Sequence, residues 1–109
     1  MKRLLLLFLF SSYLLAQSRS VTLTWVDSRN PIGVTYSVYR AIGVCSGSTV
    51  FSKLVTGLTL LTYTDTTVTP GNYCYHVTST VSGMESTPSN TVNPSVGAFA
   101  PTNLNATVQ

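Results

Sequence analysis

An all-β fold, a sandwich or a small barrel, is predicted by three observations. Residues 73–81 alternate strictly, with Tyr73, Tyr75 and Val77 on one face and Cys74, His76 and Thr78 on the other, which is the period of a pleated strand. Segments of this kind follow one another at short spacing with turn residues between them, and none has a 3.6-residue period. The polar positions are mostly Thr, Ser and Asn rather than charges, and Thr suits a pleated surface because its β-branch packs there.

The N-terminus is set aside first. Lys2 and Arg3 precede an apolar run from Leu4 to Leu15, followed by the small residues Ala16 and Ser18. This is the pattern of a secretory signal peptide over residues 1–16, and the run is too short for a comfortable membrane span. Its removal leaves about 93 residues, one small domain with a modest core. Lys2 and Arg3 leave with it, which brings the formal charge from +3 to +1. So small a balance is no footprint for nucleic acid or anionic lipid, which need clustered cations. No stable membrane span is expected after cleavage, and the expected location is extracellular or at the cell surface.

The elements follow in order. In residues 20–26, Val21, Leu23 and Trp25 point one way and Thr22 and Thr24 the other, a strand with one buried and one wet face. Residues 27–33 are a loop, with Asn30 held extended by Pro31. Residues 34–41 resume the alternation, placing Val34, Tyr36 and Val38 together and Tyr39 opposite. A flexible connection through Cys45 leads to a short strand over 50–55, ended by Gly57, and then to another over 60–65. Pro70-Gly71 reads as a type II turn opening the strand that begins at Tyr73. Ser82-Gly83 makes a hairpin-like turn into an irregular edge strand over 86–92, interrupted by Pro88. Residues 93–101 read as a linker. Residues 102–109 form one more candidate strand, with Leu104, Ala106 and Val108 on a common apolar face.

Five stretches, at residues 20–25, 36–40, 63–66, 70–79 and 85–90, carry a resemblance. In this order and spacing they resemble a fibronectin type III domain, in particular the Thr-rich modules of secreted bacterial proteins, over residues 20–92. The resemblance implies an immunoglobulin-like β-sandwich with Trp25, Tyr36, Val38 and Tyr63 in its core and Phe51 on or near a lateral strand. It gives Tyr73 the tyrosine-corner position, although the crossover before it is one residue short. Val21, Leu23, Tyr75 and Val77 complete the expected core. The family's first strand, of the type Pro-x-x-Leu-x-Ala-x, is missing ahead of Val21, while residues 100–108 look like that lead and strand at the other end. Three explanations stand side by side: the tail folds back into its own domain, it completes a neighbouring copy, or it is the first strand of a second module.

Cys45 and Cys74 are the only cysteines, and in a secreted chain they read as a disulfide. The strand ending near Ala41 and the antiparallel strand beginning near Tyr73 bring the connection after the first beside Cys74. Closing about 28 residues would contribute on the order of 3 to 4 kcal/mol. No Cys-x-x-Cys spacing supports a redox role, and His76 alone beside Cys74 makes no metal motif. Asp27, Asp65 and Glu85 lie in or beside turns without a catalytic spacing, and neither a Gly-x-Ser-x-Gly elbow nor a phosphate loop is present. Asp27 and Asp65 are expected to accept local backbone hydrogen bonds. The outward Tyr39, with Arg40 and His76 near it, is the candidate contact group. Asn105-Ala106-Thr107 matches a glycosylation sequon. The resulting expectation is a secreted, non-catalytic subunit of an extracellular assembly, with no cofactor and no metal, joined through residues 101–108 to copies of itself by strand exchange. The alternatives are a monomeric adhesion or spacer module binding surface proteins or glycans, and an accessory fragment of a longer secreted enzyme.

Overall fold

The structure is a computed structural model that describes residues 18–109; the predicted leader, residues 1–16, lies outside the described residues. Seven strands follow in order: β1 (Val21–Thr24), β2 (Thr35–Ile42), β3 (Ser52–Leu58), β4 (Thr62–Asp65), β5 (Gly71–Val81), β6 (Met84–Glu85) and β7 (Ser95–Val96). One sheet is the antiparallel pair β1-β4, and the other has the order β3-β2-β5-β6 with β7 also pairing β5. The inward faces meet in a core of Leu23, Val38, Val68, Tyr73 and Tyr75, against which Val21, Trp25, Tyr63 and Val77 are packed. Tyr36 is buried as well, with Trp25 edge-on to its ring at 5.5 Å. Val68, in the crossover between β4 and β5, is a core residue that the alternation did not point to.

Several boundaries differ from the sequence expectation, each for a local reason. Gly57 was expected to end a strand over 50–55. It lies inside β3 instead, at φ 74°, where the pairing with β2 shifts register between Tyr36 and Val38 and again between Val38 and Tyr39. Gly57 at positive φ serves the first of these bulges; at the second Leu54 is the extra residue, so Leu54 and Val55 are both half-buried although adjacent. Likewise β5 starts at Gly71 rather than Tyr73, because β7 pairs Val96 with Gly71 and Ser95 with Asn72. The predicted linker over 93–101 is therefore partly sheet, and Val96 packs against the core. Ser82 and Gly83 both have positive φ, 50° and 77°, as in the primed turns whose twist matches a hairpin.

The interrupted edge over 86–94 is held to β5 in an unusual way. Ser86 N and Ser89 N donate to the carbonyls of Ser79 and Val77. In return the hydroxyls of Ser86 and Ser89 accept from Ser79 N and Val77 N. Side-chain oxygens thus take the place of ladder carbonyls on either side of Pro88, which has no N–H to give. Regular pairing resumes at Val92, which exchanges both bonds with Tyr75.

The crossover is fixed by Tyr73, whose hydroxyl donates to Thr69 O at 3.0 Å and accepts from Thr69 N at 2.8 Å. The short crossover still closes this corner because both bonds fall on one residue. Tyr73→Phe is expected to destabilise the fold by about 1 to 2 kcal/mol, since it orphans the Thr69 amide. Urea denaturation checks this, with the midpoint lowered and the m-value unchanged.

Candidate functional site

β1 has one neighbour among the described residues, β4. Trp25 N donates to Leu61 O, continuing the register in which Leu23 faces Tyr63. By antiparallel alternation, Val21, Leu23 and Trp25 direct their backbone groups toward β4, and Thr22 and Thr24 direct theirs the other way, to an edge with no strand on it. Beside that edge runs a groove between the two sheets. A cleft of about 190 Å³ is lined by Trp25, Asp27, Tyr36, Val77, Ser86 and Pro88. A smaller one of about 70 Å³ continues it past Leu23, Thr24, Tyr75 and Val92. Val77 and Ser89 line both, so the two clefts adjoin, with core side chains at their floor.

The polar groups of the wider cleft are almost all committed. Asp27 accepts from Arg29 N, from Asn30 N and Nδ2, and from the Tyr36 hydroxyl at 2.8 Å. The Asn30 and Tyr36 side-chain bonds lead in holding its pKa down to about 2. The exception is the Trp25 indole Nε1, which is buried and has no hydrogen-bond partner. A buried donor without an acceptor is a standing cost to the fold.

The candidate contact residues separate. Tyr39 lies on the outer face of β2, its hydroxyl donating to Glu85 at 2.5 Å, with Lys53 Nζ 5.6 Å from the ring centre. His76 sits between two rings, 4.9 Å from Tyr39 and 4.2 Å from Phe51. Burial lowers its pKa against an opposing pull from Glu85. Arg40 does not join this face, which corrects the expectation. It shares the inward parity of Tyr36 and Val38 and crosses to the other sheet, where it meets Asp65 at 2.8 Å. Its guanidinium also donates to Thr67 Oγ1 and lies over the Tyr73 ring.

Cys45 and Cys74 form a disulfide with Cα atoms 5.2 Å apart. Cys74 has the outward parity expected, yet it is completely buried, because the connection after β2 is drawn over it. Gly43 N donates to Asn72 O, Cys45 N to Asn93 Oδ1, and Asn93 Nδ2 to Tyr73 O. No group of three or more His, Cys, Asp or Glu among the described residues is placed to hold a metal. No helix of the described residues is long and apolar enough to cross a membrane.

The tail, left open between three explanations, is not folded back into the sandwich. Residues 97–109 contain no strand. Leu104 and Val108 are 99% and 97% exposed, and Ala106 is exposed too. Ala98 O accepts from Arg19 Nη2 and Phe99 lies under the Arg19 guanidinium, so the tail leaves the body at the start of β1.

No protein-family model and no curated protein matches the chain in sequence. Among solved structures, a solution structure of the fourth FNIII domain of a human protein superposes with a TM-score of 0.61, at 20% identity, over 80% of this chain and 73% of that one. The fold is fibronectin-III-like. At that identity the likeness speaks for the β-sandwich alone, and the tyrosine corner and the β3-β2-β5-β6 order agree with it.

Proposed function

We propose that the chain is a secreted, non-catalytic structural module, of the Thr-rich bacterial kind, that joins to copies of itself by donating residues 102–108 to the groove beside β1. One observation carries the reading: a sheet edge that no strand of the described residues covers, with core side chains beside it, and an alternating apolar segment that lies outside the sandwich among the described residues, occur in one chain. An added strand supplies both a main-chain ladder and side chains for the groove.

Geometry favours a second copy over the same one. The tail leaves beside Arg19, and antiparallel pairing on β1 puts its first residues at the far end, near Trp25, roughly 20 Å away at strand rise. The five steps from Phe99 to Leu104 extend at most about 18 Å, and no residues remain for a reversal. Between copies the restriction disappears. Matching apolar parity then places Leu104 opposite Trp25, Ala106 opposite Leu23 and Val108 opposite Val21, with Thr107 facing Thr22 on the outside.

Deleting residues 100–109 is expected to convert an oligomer, measured by light scattering, into a monomer. Thr22→Cys with Thr107→Cys is expected to give a covalent ladder on a non-reducing gel, since facing Cα atoms about 5.5 Å apart are within disulfide range. A mass unaffected by the deletion would overturn the reading. The aromatic group of Tyr39, Phe51 and His76 on the outer face supports a second reading, a monomeric adhesion or spacer module meeting a protein or glycan there. That reading predicts a wild-type monomer.

A further inference from the structure

Outside the tail, the exposed large apolar residues are unevenly placed. At the end where β1 stops and β2 begins lie Val26, Ile32, Leu60, Leu61 and Met84; at the opposite end lie Ile42, Val44, Val50 and Phe99. Among the described residues only Val92 falls elsewhere. Ile32 and Val26 are 105% and 91% exposed; the first end also carries Asp27, Arg29 and Glu85, and the second Arg19, Lys53 and Arg40, the last paired with buried Asp65. The outer sheet face carries instead the half-buried aromatic group of Tyr39, Phe51 and His76. Single exposed apolar residues need no explanation, but two opposed apolar caps on a chain of this size mark contact surfaces.

We infer that the two ends are the two halves of one head-to-tail contact, in which the Ile42–Val44–Val50 end of one copy seats on the Ile32–Leu60–Leu61 end of the next. The inference rests on the strand donation proposed above, because the tail fixes the geometry. The donor's chain leaves its body at Arg19 and Phe99, at the same end as Ile42 and Val50. The donated strand must enter the acceptor at Trp25, at the same end as Ile32 and Leu60. Between Phe99 and Leu104 the chain spans at most about 18 Å. That interval is occupied by the donor's connection over 43–51 and the acceptor's loop over 25–34, so the caps meet. The two surfaces are different patches, so the contact is heterologous and repeats along one axis without closing, giving a filament rather than a ring or a symmetric dimer.

The test uses full-length chains with two pairs of substitutions at exposed positions, each checked for an unchanged melting curve. Ile32→Asp with Leu60→Asp blocks one end, and Val44→Asp with Val50→Asp blocks the other. Each variant alone is expected to be monomeric by light scattering, at least tenfold below the wild-type mass. An equimolar mixture is expected to form a dimer and stop there, since one intact donor end and one intact acceptor end remain. Polymers that persist in both variants would overturn the end contact while leaving strand donation standing, provided that deletion of residues 100–109 still gives monomers. Monomers that stay apart on mixing would overturn the head-to-tail polarity. A wild-type chain that is already monomeric would overturn both this inference and the donation on which it rests.

Discussion

Asp65→Asn is expected to destabilise the fold by about 3 kcal/mol, at the lower end of what breaking a buried ion pair costs. Asp65 is wholly buried and accepts from Arg40 Nη1, the Tyr75 hydroxyl, Thr67 N and Thr67 Oγ1 at 2.6 to 3.0 Å. An amide in its place replaces one acceptor oxygen with an NH2 that faces donors, and leaves a cation and a buried hydroxyl without their anion. Arg40 keeps 22% of its side chain accessible, and that partial hydration holds the cost at the lower bound. Burial by itself would raise the Asp65 pKa, but the hydrogen bonds from Thr67 and Tyr75, with Arg40 behind them, bring it down to about 2. A folded-state pKa below the unfolded value of about 3.9 means that the unfolded chain takes up the proton first. The contribution is therefore complete above about pH 5 and is lost as pH falls through 4 toward 2. Urea midpoints of wild type and Asp65→Asn should converge over that window. The slope left in the variant comes from Asp27 and Glu85, whose pKa values are also lowered. Parallel curves would show that the carboxylate is not the anchor of this network.

The same residues show how far the sequence could be read. Period-two alternation found the inward faces of β1, β2 and β5, because burial on one face leaves that mark whatever the details of pairing. Carried one step further, the same alternation puts Arg40 on the inward face with Tyr36 and Val38, where the structure has it; grouping Arg40 with the outward Tyr39 passed over that parity. Its partner lies in the other sheet, 25 residues away, and no local pattern encodes a pair across a sandwich. Gly57 carried a signal whose meaning was ambiguous: positive φ serves a bulge as well as a strand end, and the choice was made by pairing with β2. Val68 had a fainter signal, the one large apolar side chain between Asp65 and Tyr73, hidden in a segment that otherwise reads as polar connection. The groove was legible only as a missing strand, since its depth depends on how Ser86 and Ser89 hold the edge over 86–92 against β5.

Cys45→Ala is the second large effect, a loss of about 3 to 4 kcal/mol from reopening a loop of this length in the unfolded chain. The bridged residues are 29 apart, and this interval contains β3 and β4, so the staple limits the freedom of the lateral strand and of half the small sheet together. Cys45 is the better position to change, because Cys74 is fully buried and truncation there would add a cavity to the loss of the bond. The melting temperature is expected to fall by about 15 to 25 °C for a domain of this size, with calorimetry giving the value. Reductant should lower wild type to the same level and leave Cys45→Ala where it is. Hydrogen bonds from Gly43 to Asn72 and from Cys45 to Asn93 persist without the sulfur bond, so the connection should loosen before the sandwich opens. Hydrogen exchange at the amides of Gly43 and Cys45 would then rise ahead of that at Tyr75, which lies in the centre of β5. A loss below about 1 kcal/mol would mean that the unfolded chain is already restricted in this interval, and the entropic account of the staple would fall.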